Sequence, residues 1–398
     1  MHKRTCDEFS SSAGIARGLA FFACTVALVA GAPARAATMP HVASGFRIER
    51  IASVDGAREL APAANGDLLV GTSGPDVYVV PHADENAGAP SVFAHFDNEP
   101  AAGVAIGENA LFVGTQFAVY RVDYHAGDAR ARGTPVKLAG VRTSGRSRDH
   151  DTTTVAYAAG KVYASVGSSC NACKPDLDST RATIQEIDLR TGKVVPLAEH
   201  IRNAIALAVD PSTAALWAGV AGVDDLAPGH PYEIFDDVTS HHAPVDYGWP
   251  SCYEDRRSSP NWPGSCADTP IPRIVFPAYE TPIGAVFYPR TAHGRYTFPA
   301  QYRGGAFVTL HGSWHGPSNG LSGYVPPRVV FVPMRGDSPL RSVDWNDPNT
   351  QWRAFIDGYQ NGATIERTGR PTGITVGPDG SLFVADDQTG AIYRIRPI

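Results

Sequence analysis

Gly373-Ile374-Thr375-Val376, a tight Pro378-Asp379-Gly380 turn, Leu382-Phe383-Val384-Ala385-Asp386 and then Ala391-Ile392-Tyr393-Arg394-Ile395 spell out one β-meander near the C-terminus. Asp-Gly is a strong hairpin signal, because glycine takes the positive φ that a tight turn needs. The runs on either side are short, apolar and rich in β-branched and aromatic residues, which is strand composition. The pattern recurs upstream, with second strands centred on Leu68-Leu69-Val70, Leu111-Phe112-Val113, Val162-Tyr163-Ala164, Leu216-Trp217-Ala218 and Ala306-Phe307-Val308. From the first residue of each run to the next, the spacings are 43, 51, 54, 90 and 76 residues. Three of these match the length of a four-stranded blade, and the two long ones hold insertions on the propeller faces. The expectation is an all-β, six-bladed β-propeller of four-stranded antiparallel blades, in preference to a sandwich or a solenoid. The Pro-rich stretch 255–277 reads as one insertion, and the alternating segment 45–51 as a strand closing the ring beside the last blade.

The chain starts with Lys3, Arg4 and Arg17, an apolar run over 18–32 and the triplet Ala34-Arg35-Ala36. A basic flank, a short apolar core and small residues before a cut make a secretory signal, with cleavage expected after Ala36. The run is shorter than the roughly 20 apolar residues that a spanning helix needs, so no membrane span is expected. The expected organisation is a signal peptide over 1–36 and a single propeller domain over 37–398, in a periplasmic or secreted protein. Removal of four basic and two acidic side chains takes the net charge from −6 to −8. That leaves no basic footprint for nucleic acid. Four cysteines remain, an even number suited to an oxidising compartment. The parsimonious pairing is local, Cys170 with Cys173 and Cys252 with Cys266. A c-type haem would need histidine after Cys173, and Lys174 stands there; zinc would need two further ligands, and a thioredoxin-like motif a βαβ context.

A propeller fixes where functional groups gather. The innermost strand of each blade starts at the rim where the second strand ends, because the two are antiparallel and joined at the opposite rim. Residues just before the inner strands therefore converge on one mouth of the central axis: Arg58, Glu99, Asp149-His150, Arg202-Asn203, Pro282-Ile283 and Arg370. Residues after the second strands join them: Thr115-Gln116, Gly167-Ser168, the loop 222–225, His311-Gly312-Ser313-Trp314 and Asp386-Asp387. Three arginines at one mouth suit a small, planar, multiply anionic ligand, since guanidinium forks bind carboxylates through paired hydrogen bonds. His150 is a candidate general base, with Asp149 beside it in a catalytic or a structural role. Main-chain and carboxylate oxygens of the 222–225 loop are hard ligands of the kind calcium takes. Trp314 either stacks on a planar ring or packs.

Asp149-His150 ahead of Val166-Gly167-Ser168, then Arg202-Asn203, Tyr247-Gly248-Trp249-Pro250, His311-Gly312-Ser313-Trp314 and Arg370-Pro371-Thr372-Gly373 resemble, in that order, the glucose/sorbosone dehydrogenase family. That family includes the soluble quinoprotein glucose dehydrogenases, and the resemblance runs over nearly all of the chain beyond residue 36. It implies a six-bladed propeller with pyrroloquinoline quinone across the mouth, assisted by calcium. His150 matches the base that takes the proton from a sugar hydroxyl while hydride moves to the quinone, and Asp149 its acidic neighbour. Arg202 and Asn203 match cofactor-binding residues, and Arg370 an arginine that clamps a cofactor carboxylate. Arg58, His311 and Trp314 stand on the same rim as further cofactor contacts. The main-chain oxygens of Gly222 and Val223 match the calcium loop. The implied substrate is a sugar or sugar-derived aldehyde of aldose or sorbosone type, with electrons passing to a separate acceptor.

The sequence departs from the family at Asp151-Thr152-Thr153-Thr154, where an arginine is common, and at Ala221, where the calcium loop has a polar residue. The quinone-contacting lysine has no counterpart near 311–314, where His311 or Ser313 stands in. These departures favour the broader sorbosone-like branch, or a propeller that has lost the cofactor. Two rival readings use the same mouth: a non-enzymatic propeller that binds a sugar or a protein, and a calcium-dependent, lactonase-like hydrolase. Electron transfer to an acceptor separates the dehydrogenase from both.

Overall fold

Second strands that carry apolar residues on both faces need burial on both sides, and the architecture supplies it. The computed structural model describes residues 39–398 apart from 98, 143–148, 175, 177, 225, 314–324 and 362–365. The first blade is Ala57–Pro62, Leu68–Thr72, Asp76–Val80 and Ser91–His95; the second is Gly103–Gly107, Ala110–Gly114, Ala118–Asp123 and Arg132–Gly140. The third is Val155–Ala158, Lys161–Val166, Thr183–Asp188 and Val194–Glu199; the fourth is Ala206–Val209, Leu216–Val220, Glu233–Asp237 and Ile274–Phe276. The fifth is Pro282–Phe287, Ala306–Leu310, Arg328–Val332 and Arg353–Asp357; the sixth is Pro371–Val376, Leu382–Asp386, Ala391–Pro397 and, from the other end of the chain, Phe46–Ser53. The six inner strands touch in cyclic order, the sixth against the first, so the propeller ring is closed. Closure uses the strand expected over 45–51, with Ile48 opposite Ile395.

Hydrophobic clusters fill the gaps between neighbouring blades. In the sixth blade Leu382 and Val384 join the cluster facing the fifth blade, while Phe383 and Ala385 join the one facing the first. Successive side chains of a strand point to opposite faces, so a strand between two gaps must be apolar throughout. Each buried Leu, Val or Phe among them contributes about 1.5–3 kcal/mol relative to exposure. Blades also approach closely enough to exclude a side chain: a Cβ on Gly373 would lie 2.2 Å from the Arg58 carbonyl oxygen. Among the described residues no helix is long and apolar enough to cross a membrane.

The structure moves one insertion. The 90-residue spacing arises inside the fourth blade, whose third strand pairs with Ile274–Phe276 after an excursion through 238–273. The insertion therefore starts earlier than the Pro-rich stretch 255–277, and its last residues belong to the blade core, where Ile274, Val275 and Phe276 are fully buried. Three apolar residues between Pro272 and Pro277 make too short a run to read as a strand. Two blades also gain a fifth strand that the pattern did not show, Val245–Asp246 on the third and His41–Val42 on the fifth.

Both expected disulfides are present, Cys170–Cys173 and Cys252–Cys266. The second closes a loop with a sequence separation of 14 inside the insertion. Replacing both of its cysteines by alanine is expected to lower stability by about 3 kcal/mol, through the entropy returned to the unfolded chain. A reduced Tm with an unchanged far-UV spectrum is the outcome to look for; an unchanged Tm would contradict it.

Candidate active site

At the rim where the inner strands begin lies a cavity of about 350 Å³, walled by Asp149, His150, Asn171, Arg202, Asn203, Glu233, His311 and Arg370 among others. His150 precedes the inner strand of the third blade and adopts φ 51°. A non-glycine residue in this left-handed region costs on the order of 1–3 kcal/mol unless its surroundings hold it. Here hydrogen bonds do so: Nδ1 donates to the Ser168 carbonyl oxygen at 2.8 Å, with Ser168 Oγ 3.2 Å away. That hydroxyl in turn donates to the Cys170 carbonyl at 2.7 Å. The His150 carbonyl accepts from Arg142 Nη2. A carbonyl can only accept, so Nδ1 carries the hydrogen and Nε2 keeps its lone pair. Burial, and next the charge of Arg202, push this imidazole down to about 3, leaving it neutral at neutral pH. Gly167 makes room for it, since a Cβ there would fall 2.5 Å from both His150 Cβ and Asn203 Oδ1. Asp149 is exposed on the cavity wall.

Arg202 is largely committed to the protein. Its Nε donates to the Asn171 carbonyl at 3.0 Å, Nη1 to the Ala221 carbonyl at 3.2 Å, and Nη2 to Asn171 Oδ1 at 2.9 Å and Asp224 Oδ2 at 3.1 Å. Of the five guanidinium N–H groups, these four bonds leave one for a ligand. Asn171 is the organiser that the sequence reading missed. It ties the Cys170–Cys173 loop to the 221–224 loop, since its Oδ1 also accepts from the Asp224 amide at 2.8 Å and its carbonyl from Trp249 Nε1 at 3.2 Å. Glu233 is a second omission. Its buried carboxyl accepts from the Gly222 amide at 2.6 Å and the Tyr279 amide at 3.1 Å, and burial pushes it up to about 8.

On the opposite wall Arg370 Nη2 donates to His311 Nδ1 at 2.7 Å, and His311 Nε2 donates to Asp387 with both oxygens at 3.2 Å. Burial pushes His311 down to about 4, so it is neutral and can accept from a guanidinium. Arg370 Nε is buried with no hydrogen-bond partner among the described residues. Arg58 does not line the cavity; it lies inside the inner strand Ala57–Pro62 rather than before it, and pairs with Asp387 at 3.1 Å. Gly222 faces the mouth, whereas Val223 lines a small neighbouring pocket of about 80 Å³. Their carbonyl oxygens accept no hydrogen bond from the described residues. No described cluster of three or more His, Cys, Asp or Glu side chains is arranged to hold a metal. Trp314 lies outside the described residues.

Behind Thr281, on the cavity wall, the fully buried Glu280 accepts from Arg328 Nη2 at 2.6 Å, while its Oε2 has no partner among the described residues. Burial pushes its carboxyl from 4.5 up to about 7, against the pull of Arg328. Between those pH values the unfolded chain binds fewer protons than the folded one, so Glu280 costs stability as the pH rises through the window. Glu280→Gln is thus expected to gain on the wild type as the pH rises from about 5 to about 8. The Tm difference at the two pH values checks this, and a difference that moves the other way would refute it.

Fold and mouth together define a class: a closed six-bladed propeller whose axis opens on a pocket of neutral imidazoles and buried guanidiniums. Comparison with known proteins narrows it. Residues 259–397 match the TrAA12-like family model. The structure of Trichoderma reesei Carbohydrate-Active Enzymes Family AA12 is similar over 90% of this chain and 98% of its own, with a TM-score of 0.74 at 19% identity. The holo PQQ domain of pyranose dehydrogenase from Coprinopsis cinerea matches over 92% and 99%, with a TM-score of 0.73 at 19% identity. The PQQ-bound aldose sugar dehydrogenase of Streptomyces coelicolor covers 89% and 99%, with a TM-score of 0.58 at 14% identity. In sequence, an uncharacterized protein of Borreliella burgdorferi is 25% identical over 238 residues, so the chain spans 57% of the length of that curated relative and 59% of its own. These likenesses agree with the resemblance read from the motifs.

Proposed function

We propose that this chain is an exported oxidoreductase. It oxidises a sugar or sugar-derived aldehyde of aldose or sorbosone type with pyrroloquinoline quinone and calcium, and passes the electrons to a separate acceptor. The observation that carries this reading is the tautomer-fixed, neutral His150 sharing a cavity with Arg370, whose buried Nε lacks a partner among the described residues. The residues present fit the cofactor: the Arg370 Nε–H, which has no partner among the described residues, and the remaining N–H of Arg202 are donors for carboxylates of a planar polyanion, and Asn203 lines the same wall. The Gly222 and Val223 carbonyls are uncommitted oxygens of the kind a calcium ion takes, and the likeness to the T. reesei protein in its calcium structure supports looking for one.

When bound, the quinone would supply the two-electron acceptor for hydride. The chain's own residues do the rest. His150 Nε2 takes the proton of the substrate hydroxyl, and the Ser168 carbonyl holds the ring by Nδ1 and stabilises the imidazolium that forms. Arg202 and Arg370 orient the polyanion, and Arg370 is itself held by His311. Export rests on the 1–36 segment, which lies outside the described residues, and on two disulfides that suit an oxidising compartment. The test is binding: purified protein is mixed with pyrroloquinoline quinone, with and without calcium, and passed through gel filtration. Co-elution of the quinone absorbance with the protein supports the reading, and its complete separation at saturating cofactor overturns it.

A further inference from the structure

We propose that Arg181, at the mouth side of the third blade, is a positioning residue that sets the backbone and the ring tautomer of His150; this rests on the reading of His150 as the base. Arg181 is buried, and no repeat position marks it in the sequence. Its Nε donates to the Gly167 carbonyl at 2.8 Å, and its Nη2 to the Ser168 carbonyl at 2.8 Å and to the Asp149 carbonyl. One planar group thus fastens the residue before His150, the glycine that packs on its Cβ, and the carbonyl that receives its Nδ1 hydrogen. Arg142 completes the clamp on the His150 carbonyl itself.

The arrangement needs a guanidinium. Nη2 and Nε present directed N–H groups in one plane, so three carbonyls on two separate segments are held at fixed angles; an ammonium on a flexible stem offers a point charge without that fork. Without the guanidinium the buried Gly167 carbonyl loses its side-chain donor and the buried Ser168 carbonyl keeps only the His150 Nδ1 hydrogen, and an unmade bond at a buried carbonyl is expensive. Anchoring Asp149 and Ser168 together also helps hold His150 at its left-handed φ, because the peptide before it and the acceptor of its ring hydrogen are tied to the same group. Without the clamp the Ser168 carbonyl is free to turn from Nδ1, and the hydrogen can reside on Nε2, where the ring no longer accepts a proton from substrate.

The experiment is nitrogen NMR of the His150 ring in isotopically labelled, cofactor-free protein, alongside kinetics of the reconstituted protein. The wild type is expected to show the Nδ1–H tautomer alone. Arg181→Lys is expected to show a mixture of tautomers, and kcat and kcat/KM to fall together by about 100-fold, the cost of misplacing a reacting group by an ångström. A merely structural role would lower Tm with the tautomer unchanged, and that result overturns the proposal. A wild-type ring carrying its hydrogen on Nε2 overturns it as well, whether or not Arg181→Lys folds. If the tautomer behaves as expected and no sugar is oxidised, the dehydrogenase reading fails and the clamp stands; if sugar is oxidised and Arg181→Lys keeps a pure Nδ1–H tautomer, the clamp fails alone.

Discussion

His150→Ala is expected to slow sugar-dependent dye reduction by about 10²- to 10⁴-fold, the range that a positioned proton acceptor contributes, while cofactor retention stays at the wild-type level. The separation follows from the geometry. His150 is held by Ser168 and Arg142, and its neutral form, with the ring pushed down to about 3 by burial and by Arg202, presents a lone pair and no charge to a ligand. The polyanion would be gripped from elsewhere in the wall, by Arg202, Asn203 and Arg370. Steady-state kinetics on the reconstituted variant, with retention measured in parallel, checks both halves. A variant that keeps full turnover would remove His150 from the chemistry.

Arg370→Ala is expected to do the reverse and release the cofactor, with affinity falling by at least about 30-fold, corresponding to about 2 kcal/mol for truncating one partner of a buried charged pair. Arg370 lines the cavity with a buried Nε–H that has no partner among the described residues, and its Nη2 donates to His311. Its removal also strips the donor from His311 Nδ1 and part of the positive field around Asp387. Burial raises the Asp387 carboxyl, but the hydrogen bond from His311 and the charges of Arg58 and Arg370 outweigh it and hold the group at about 2. A depressed carboxylate adds stability above its unfolded pKa of about 4, and that stability is lost as the pH falls towards 2. Arg370→Ala should therefore also lower Tm at neutral pH, with the difference from wild type shrinking in acid. Equilibrium titration with the quinone, followed by its absorbance, measures the affinity; undiminished binding would assign the carboxylate contacts to other groups.

The blades were legible because a propeller writes its packing twice, once in the spacing of second strands and once in runs that are apolar on both faces. Leu382-Phe383-Val384 serves two gaps at once, and no sandwich strand with a solvated face needs that. The rim was legible for the same reason: His150, Arg202, Asn203 and Arg370 precede inner strands and His311 follows a second strand, so all five come to one rim and reach one cavity. What stayed hidden has no repeat position. Arg181 and Asn171 act through carbonyls and amides of loops that are distant in sequence, so their roles depend on how the 167–171 turn folds back. Glu233 reads as an ordinary alternating residue of an outer strand until the Gly222 amide is seen against it. Ile274-Val275-Phe276 was hidden among prolines, and its place in the fourth blade comes from pairing with Glu233, Ile234 and Phe235 rather than from its own length.

The central claim, that the mouth carries quinone-dependent sugar oxidation, is tested most directly by mixing the protein with pyrroloquinoline quinone, calcium, an aldose or sorbosone and an electron-accepting dye. Dye reduction that requires both the sugar and the quinone is the expected result. Cofactor that binds without any turnover over a panel of sugars and aldehydes, or acid release from a lactone with no acceptor present, would contradict it.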